Sequence, residues 1–266
     1  MNYFGYNAGD VPEGAFKISP SQISRYFDET GKWVREFLLG EAGFEGNTAS
    51  CLGTVVHGLA AQYKATGAAD LAAAENYIDS LRIEGLDKAY MRAQFAPMYL
   101  ALERNFLTTC TGTPELFLKQ EILPGVWLGG SIDLLNNEEV TDYKTTGSLN
   151  APTDIKRSYF FQQLCYVWLA RMAGYPVKRF RLVYITTNEV NRISEKTNKP
   201  MQDYPTTVSS IVHEVTDDDI TLIGGVIKLV ADFVVAWKQY PELRHVLAQD
   251  YRLKEIQPVK SVFSKQ

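Results

Sequence analysis

Between Glu138 and Gly147 the chain reads EEVTDYKTTG, a β-type run that sets Asp142 and Lys144 two residues apart. Side chains alternate across a strand with period two, so the carboxylate and the ammonium share one face. The preceding apolar run, GGSIDLL, carries Asp133. If the hairpin joining the two runs turns on Asn137 and Glu138, antiparallel pairing places Asp133 directly opposite Asp142. Partners of that kind lie roughly 4.5 to 5.5 Å apart at Cβ, and like charges there repel. Something positive must sit between them. A hard divalent cation fits two carboxylates, and a neighbouring lysine can stabilise charge on a phosphate.

An Asp-x-Lys triplet is expected about once by chance in a chain this long. A second one, Asp154-Ile155-Lys156, falls at a helix start, where Asp154 serves as a cap or first-turn acid. What sets Asp142 apart is the opposed Asp133, with Gly129 and Gly130 before it suggesting a bulge or a close backbone approach. His57 lies beside the apolar stripe of a helix, as either a surface group or a metal ligand. Gln162 and Tyr166 share a helix face with Ile155, Tyr159 and Ala173, so a polar amide interrupts an apolar stripe and needs a partner.

The elements that position these groups are readable from periodicity. Ser19-Pro20-Ser21-Gln22 has the form of a capped helix start, followed by Ile23, Tyr26 and Phe27 at helical spacing. A second helix is expected from about Thr54, with Leu52, Val55, Val56, Leu59, Ala60 and Tyr63 as its stripe, and an alanine-rich helical region from Ala68 to about Leu107. From Thr113 the texture becomes strand-like: ELFLKQEI, VWLGGSIDLL and EEVTDYK form an antiparallel meander broken at Pro124-Gly125 and Asn136-Asn137. A helix from about Thr153 to Ala173, the strand RFRLVYIT, the strand TVSSIVHEV and an amphipathic helix from Asp217 to Tyr240 follow, then a basic tail after Tyr251. This order predicts an α/β sandwich with a mixed central sheet flanked by helices and a helical N-terminal portion. It reads as one domain over 1–266: a helical part about 19–110, a core about 113–187, and a C-terminal strand, helix and tail over 205–266.

With 266 residues, 45% of them hydrophobic, the chain can build one large core. The most apolar window, Ile223 to Trp237, is interrupted by Lys228 and Asp232, which argues against a membrane span. The opening MNYFGYNAGD has neither the basic region nor the apolar core of a secretory signal, so a cytoplasmic location is expected. Three widely spaced cysteines without a CxxC pair argue against a disulfide framework and a zinc or iron-sulfur site. The net charge of -4 gives no global sign of a nucleic-acid partner. Yet from Ile155 to Thr187 there are six basic residues, Lys156, Arg157, Arg171, Lys178, Arg179 and Arg181, and no acidic one. That segment is either a solvated face or a positive surface.

Together these residues resemble the RecB-like branch of the PD-(D/E)XK nucleases. The resemblance runs through SPSQISRYF, GTVVHGLAAQY, QEILPGVWLGGSIDLL, EEVTDYKTTG and QQLCYVWLARMAGYPV, in the family's order, from about Ser19 to Thr187. It implies an αβββαβ core and a metal-dependent phosphodiesterase leaving 5′-phosphate ends, in the cytoplasm of a host if the chain is phage-encoded. His57, Asp133 and Asp142 match the family's metal ligands, the Tyr143 main-chain carbonyl completes the set, and Lys144 matches the catalytic lysine. Gln162 and Tyr166 match the helix motif that supports the active site, and Glu121 sits where many relatives have a glutamate. Simple hairpin parity about Pro124-Gly125 puts Glu121 on the face opposite Asp133 unless a bulge at Gly129-Gly130 resets the register.

Magnesium is the implied cofactor, with manganese as a substitute. The cysteines do not match the cluster-bearing relatives, and no GxxxxGK[ST] loop accompanies the core, so neither an iron-sulfur cluster nor a nucleotide cofactor is expected. DNA ends are the expected partner, with a recombination or single-strand-binding protein beside them. Lys156, Arg157, Lys178 and Arg179 are the residues expected to meet the DNA backbone. An exonuclease is favoured; a structure-specific endonuclease or a non-catalytic DNA-binding protein that keeps the fold are the alternatives.

Overall fold

The structure, a computed structural model, describes residues 3–4, 11–194 and 196–240. In chain order the elements are β1 (Phe16–Ile18), α1 (Pro20–Asp28), α2 (Thr30–Trp33, continued by a π-helical turn over Val34–Leu38), α3 (Thr48–Thr66), α4 (Leu71–Ser80) and α5 (Lys88–Leu102, continued by a π-helical turn over Glu103–Leu107). Then come β2 (Thr113–Leu123), β3 (Val126–Leu135), β4 (Glu139–Thr146), α6 (Arg157–Met172), β5 (Arg179–Thr186), β6 (Val208–Glu214) and α7 (Asp217–Gln239).

Six strands form one open mixed sheet. β3 pairs with β2 antiparallel and with β1 parallel, β4 pairs with β3 antiparallel and with β5 parallel, and β6 closes the far edge antiparallel to β5. The meander and the strand after α6 therefore lie where the hydrophobic runs put them.

A strand has two edges, and those of β3 are divided unequally. β2 covers one edge from Leu135 down to Val126. The other is shared: β1 takes Val126 to Leu128, and β4 takes only Leu134 and Leu135. Between those two neighbours, from Gly129 to Asp133, no described strand pairs on that side. The sheet is split there, and the split is where the polar residues collect.

Helices pack on both faces. One core gathers α1, α6 and α7 over Leu128, Leu135, Val140, Leu182 and Tyr184; the other gathers α3, α4 and α5 over Leu134, Tyr143, Val183 and Ile185. Successive β5 residues thus alternate between two buried faces, which is why RFRLVYIT is a nearly unbroken apolar run. α7 is long and apolar enough to cross a membrane by length and composition. Here Ile223, Ile227, Val230, Val234 and Trp237 are buried against the sheet and α6, as in the core helix of a folded domain.

Three features differ from the sequence expectations. α3 starts at Thr48 rather than Thr54, because Asn47 caps it by accepting the Ser50 N–H at 2.9 Å; the first turn, TASC, carries too little apolar stripe to advertise it. α6 starts at Arg157 rather than Thr153. β1 has three residues, too short for a period-two signal, and exists through its pairing with β3. The tail after Tyr251 lies outside the described residues.

Candidate active site

The split in the sheet opens into a cavity of about 280 Å³, walled by His57 of α3, Asp133 of β3, Asp142 and Lys144 of β4, Gln162 of α6, and Glu115 of β2. Two side-chain rings press against β3 behind it. A Cβ on Gly130 would meet the Pro20 ring at 2.8 Å and the Tyr166 ring at 3.1 Å, so a glycine is needed where α1 and α6 close on β3.

The β3–β4 register, Leu134 with Thr141 and Leu135 with Val140, carries Asp133 on toward Asp142 as the hairpin symmetry requires. Main-chain pairing stops one residue short of them. Instead Asp133 Oδ2 accepts the Tyr143 N–H at 2.7 Å, so a side chain holds the strand end that the ladder has released. The same oxygen lies 3.3 Å from His57 Nδ1. Across the split, Lys144 Nζ stands 2.6 Å from Asp142 Oδ2 and donates to Gln162 Oε1 at 3.3 Å, over the Tyr159 ring at 4.8 Å from its centre. The amide that interrupts the α6 stripe is thus partnered by Lys144 rather than by backbone.

Burial and charge sort the protonation states. Burial pushes the Asp142 carboxyl above the ordinary carboxylate range and the charge on Asp133 adds to this, more than Lys144 and His57 take back. Burial also works against Asp133, but His57, Lys144 and the Tyr143 N–H together hold its pKa below the ordinary value. Burial would strip the proton from Lys144, yet Asp142 and Asp133 keep the ammonium charged and raise its pKa. For His57 burial is likewise overridden, by Asp133, and the imidazole pKa is raised. The cluster is one coupled set of charges, whose protons belong to the group rather than to single residues.

Glu115 is the residue that sequence reasoning missed. β2 and β3 pair in a constant register from Thr113 with Leu135 to Glu121 with Trp127, and that register skips one position, where Glu115 faces Asp133. Glu115 has φ of +48°, the left-handed region that residues with a Cβ avoid. The normal alternation fails alongside it: Ile132 packs in the α6 and α7 core while Leu134, two residues on, packs in the α3 to α5 core. Three carboxylates, Glu115, Asp133 and Asp142, therefore stand in a row across three neighbouring strands. Burial, reinforced by Asp133, pushes the Glu115 carboxyl up to about 7.

Glu121 is elsewhere. The register irregularity sits between Glu121 and Leu123, not at Gly129-Gly130, where pairing with Leu118 and Lys119 is regular. That shift gives Glu121 the same strand parity as Glu115, so the opposite-face expectation fails. But six residues at about 3.3 Å each separate the two by roughly 20 Å. The Glu121 carboxylate instead accepts the Gly125 N–H at 2.9 Å and closes the β2–β3 turn.

The basic segment divides in the same way. Lys156 lies over the Tyr159 ring that also holds Lys144, and Arg157 lies over Phe161, so the start of α6 adjoins the site. β5 runs parallel to β4 with Arg179 opposite Glu139, five residues before Lys144. There Lys178 pairs with Glu138 and Arg179 with Glu139, both at 2.7 Å, and Arg181 with Glu139 at 2.8 Å. If the chain binds DNA as the resemblance implies, charge reversal at Arg157 should weaken that binding and lower its salt slope by about one. Arg179→Glu should leave DNA affinity unchanged and lower the melting temperature, since Arg179 is committed to a buried carboxylate. Equal effects on DNA affinity, read by fluorescence anisotropy across a salt series, would contradict this division.

Among the described residues no three His, Cys, Asp or Glu side chains converge closely enough to hold a metal ion by themselves. The donor set is of the open kind. Asp142 Oδ2 is buried and forms no aligned hydrogen bond. The Tyr143 carbonyl points the same way as its N–H, toward Asp133, as both groups of one residue do in an extended strand. Two carboxylates and a carbonyl, with Glu115 and His57 at the rim, fit a hard ion that keeps several waters.

A mixed sheet split at its third strand, helices on both faces, and a meander feeding a helix that returns Gln162 to the lysine make up an open α/β fold. The chain shares this fold with a solved structure of a candidate exonuclease from Eubacterium rectale, at a TM-score of 0.56 and 15% identity over 84% of this chain and 82% of that one. It is also similar to the alkaline exonuclease LHK-Exo of Laribacter hongkongensis, with a TM-score of 0.39, 13% identity and coverage of 88% and 95%. A phage-related exonuclease from Haemophilus somnus 129PT gives a TM-score of 0.37 and 9% identity over 84% of this chain and 96% of that one. No family model and no curated protein matches the sequence.

Proposed function

We propose that this protein is a divalent-metal-dependent DNA nuclease, working as an exonuclease that leaves 5′-phosphate ends. The observation that carries the reading is Lys144 held between Asp142 and Gln162 at the split that Asp133 and Glu115 also line. A binding module gains nothing from opposed buried carboxylates beside a phosphate, because they repel it.

Asp133, Asp142 and the Tyr143 carbonyl would hold Mg²⁺ or Mn²⁺, with His57 and Glu115 beside them. The ion supplies a water of lowered pKa and neutralises phosphate charge. Lys144 stays protonated and presents its ammonium to the oxygens of the scissile phosphate, where charge grows during in-line attack. Gln162 and the Tyr159 ring fix that ammonium, so little reorganisation is needed when the phosphate arrives. His57 orients Asp133 through its Nδ1 contact. Tyr166, against Gly130, closes the wall behind the reacting group.

The test is incubation with Mg²⁺ and end-labelled linear single- and double-stranded DNA beside covalently closed circles. Loss of linear DNA alone establishes the exonuclease and its strand preference. Cutting of circles would make the protein an endonuclease, and no cleavage with Mg²⁺ or Mn²⁺ would leave a DNA-binding protein on a nuclease fold.

A further inference from the structure

We propose that a second cavity, just beyond Lys144 along β4, receives a nucleobase of the substrate strand next to the bond that is cut. The proposal rests on the nuclease reading and adds a subsite to it. The cavity has a volume of about 190 Å³ and lies between the start of α3, with Ala49 and Leu52, Tyr90 of α5, and the ends of β4 and β5, with Thr145, Thr146 and Thr187.

Its position ties it to the cleavage site. Lys144 lines one cavity and Thr145, on the opposite face of β4, lines the other, with Thr146 and Gly147 at the strand end; α3 contributes His57 to the first and Leu52 to the second. Thr146 is two residues past Lys144, about 7 Å along an extended strand. Leu52 precedes His57 by five residues, again about 7 Å along a helix axis. That is about twice the rise of a stacked nucleotide, the reach of one unstacked step along a strand. A strand with its phosphate at Lys144 would cross the end of β4 at Thr146 and Gly147 to bring the adjacent base to this opening.

The size and walls select a base over a phosphate or a whole nucleotide. The volume equals that of roughly six waters, enough for one planar ring system. Among the described residues no Lys or Arg lines the cavity, so a phosphate would lie there without a counter-charge from them. An aromatic ring, a leucine and several threonine methyls offer a stacking and apolar surface, and hydroxyls at its edge can donate or accept. Thr187 is 5% exposed and its hydroxyl lies beside that of Tyr90, which donates to Glu189 Oε1 at 3.2 Å, so polar groups stand at one edge of the cavity.

The experiment fills the cavity from its mouth and then removes the base it should hold. Ala49 is exposed and lines the opening, so Ala49→Phe fills it without disturbing the core, which an unchanged melting temperature verifies. Binding of a fluorescently labelled single-stranded oligodeoxynucleotide is measured by anisotropy in Ca²⁺, which needs no cleavage, for the intact strand and for strands carrying one abasic site at successive positions. The wild type should lose about tenfold in affinity when the abasic site falls at one particular position. Ala49→Phe should bind the intact strand about tenfold more weakly, yet match the wild type on the strand abasic at that same position. Equal affinity of variant and wild type for the intact strand, or a gap that no abasic position closes, would overturn the proposal. If this pattern appears while Mg²⁺ yields no cleavage, the base subsite stands and the nuclease reading falls.

Discussion

Asp142→Asn should abolish cleavage while leaving the protein at least as stable as the wild type in the absence of metal. The two halves of this result have separate causes. Asparagine keeps the shape and one oxygen but removes the charge that pairs with Lys144 at 2.6 Å and that, in the proposed mechanism, would hold a divalent ion. Loss of one preorganised electrostatic group at a reacting centre costs on the order of 10²–10³ in rate, and removal of a metal ligand adds to that. Stability moves the other way because burial already favours the neutral carboxyl: the pKa of Asp142 is raised, so its ionised form is the disfavoured one in the fold. Lys144 would still have Asp133 and Gln162 nearby. Single-turnover cleavage and a thermal melt on the same preparation test both halves. An active Asn variant would refute the site; a variant that is inactive only because it is unfolded would refute the account of its burial.

Much of this site was legible because strand arithmetic is rigid. Period-two alternation put Asp142 and Lys144 on one face, and hairpin symmetry about Asn137 and Glu138 set Asp133 against Asp142, the register that Leu134 with Thr141 continues. The long apolar runs gave β5 and α7 nearly to the residue, since burial on two faces or along a helical stripe leaves a strong pattern. The same arithmetic failed for the glutamate. Parity about Pro124-Gly125 assumes a regular hairpin, and one extra residue between Glu121 and Leu123 shifts every partner on β2 by one. With that shift Glu115 meets Asp133, and a glutamate six residues earlier takes the place that Glu121 was expected to fill. No local feature announces the bulge at Ile122. The left-handed backbone of Glu115 is also invisible in sequence, since glutamate is an unremarkable strand residue and only tertiary packing imposes a positive φ on it. The basic segment divides in a way composition does not show: composition sees six cations together, but β4 and β5 run parallel and deliver half of them, Lys178, Arg179 and Arg181, to Glu138 and Glu139 at the far end.

The irregularity at Glu115 leads to the second large expected effect, a stability that depends on pH and that one substitution removes. Glu115 has an ordinary pKa of 4.5 in the unfolded chain and is pushed up to about 7 in the fold, by burial first and by Asp133 next. Between those values the folded state holds a proton that the unfolded state has released, so stability falls as pH rises. Below about 4.5 both states are protonated and the group contributes nothing; above about 7 the full penalty applies. At 1.36 kcal/mol per pKa unit, and allowing for partial exposure, that penalty is about 1 to 3 kcal/mol. Glu115→Gln keeps the shape and the strained backbone but carries no charge. It should raise the melting temperature at pH 8 by about 2 to 10 °C and by only about a quarter as much at pH 5. Metal-free thermal melts at the two pH values decide the matter, and an equal shift at both would show that the carboxylate is not the source. In the proposed mechanism, where Glu115 lies beside a bound cation, the same substitution should weaken cleavage. A variant more stable at pH 8 and less active would locate in Glu115 the exchange of stability for function that its backbone strain already suggests.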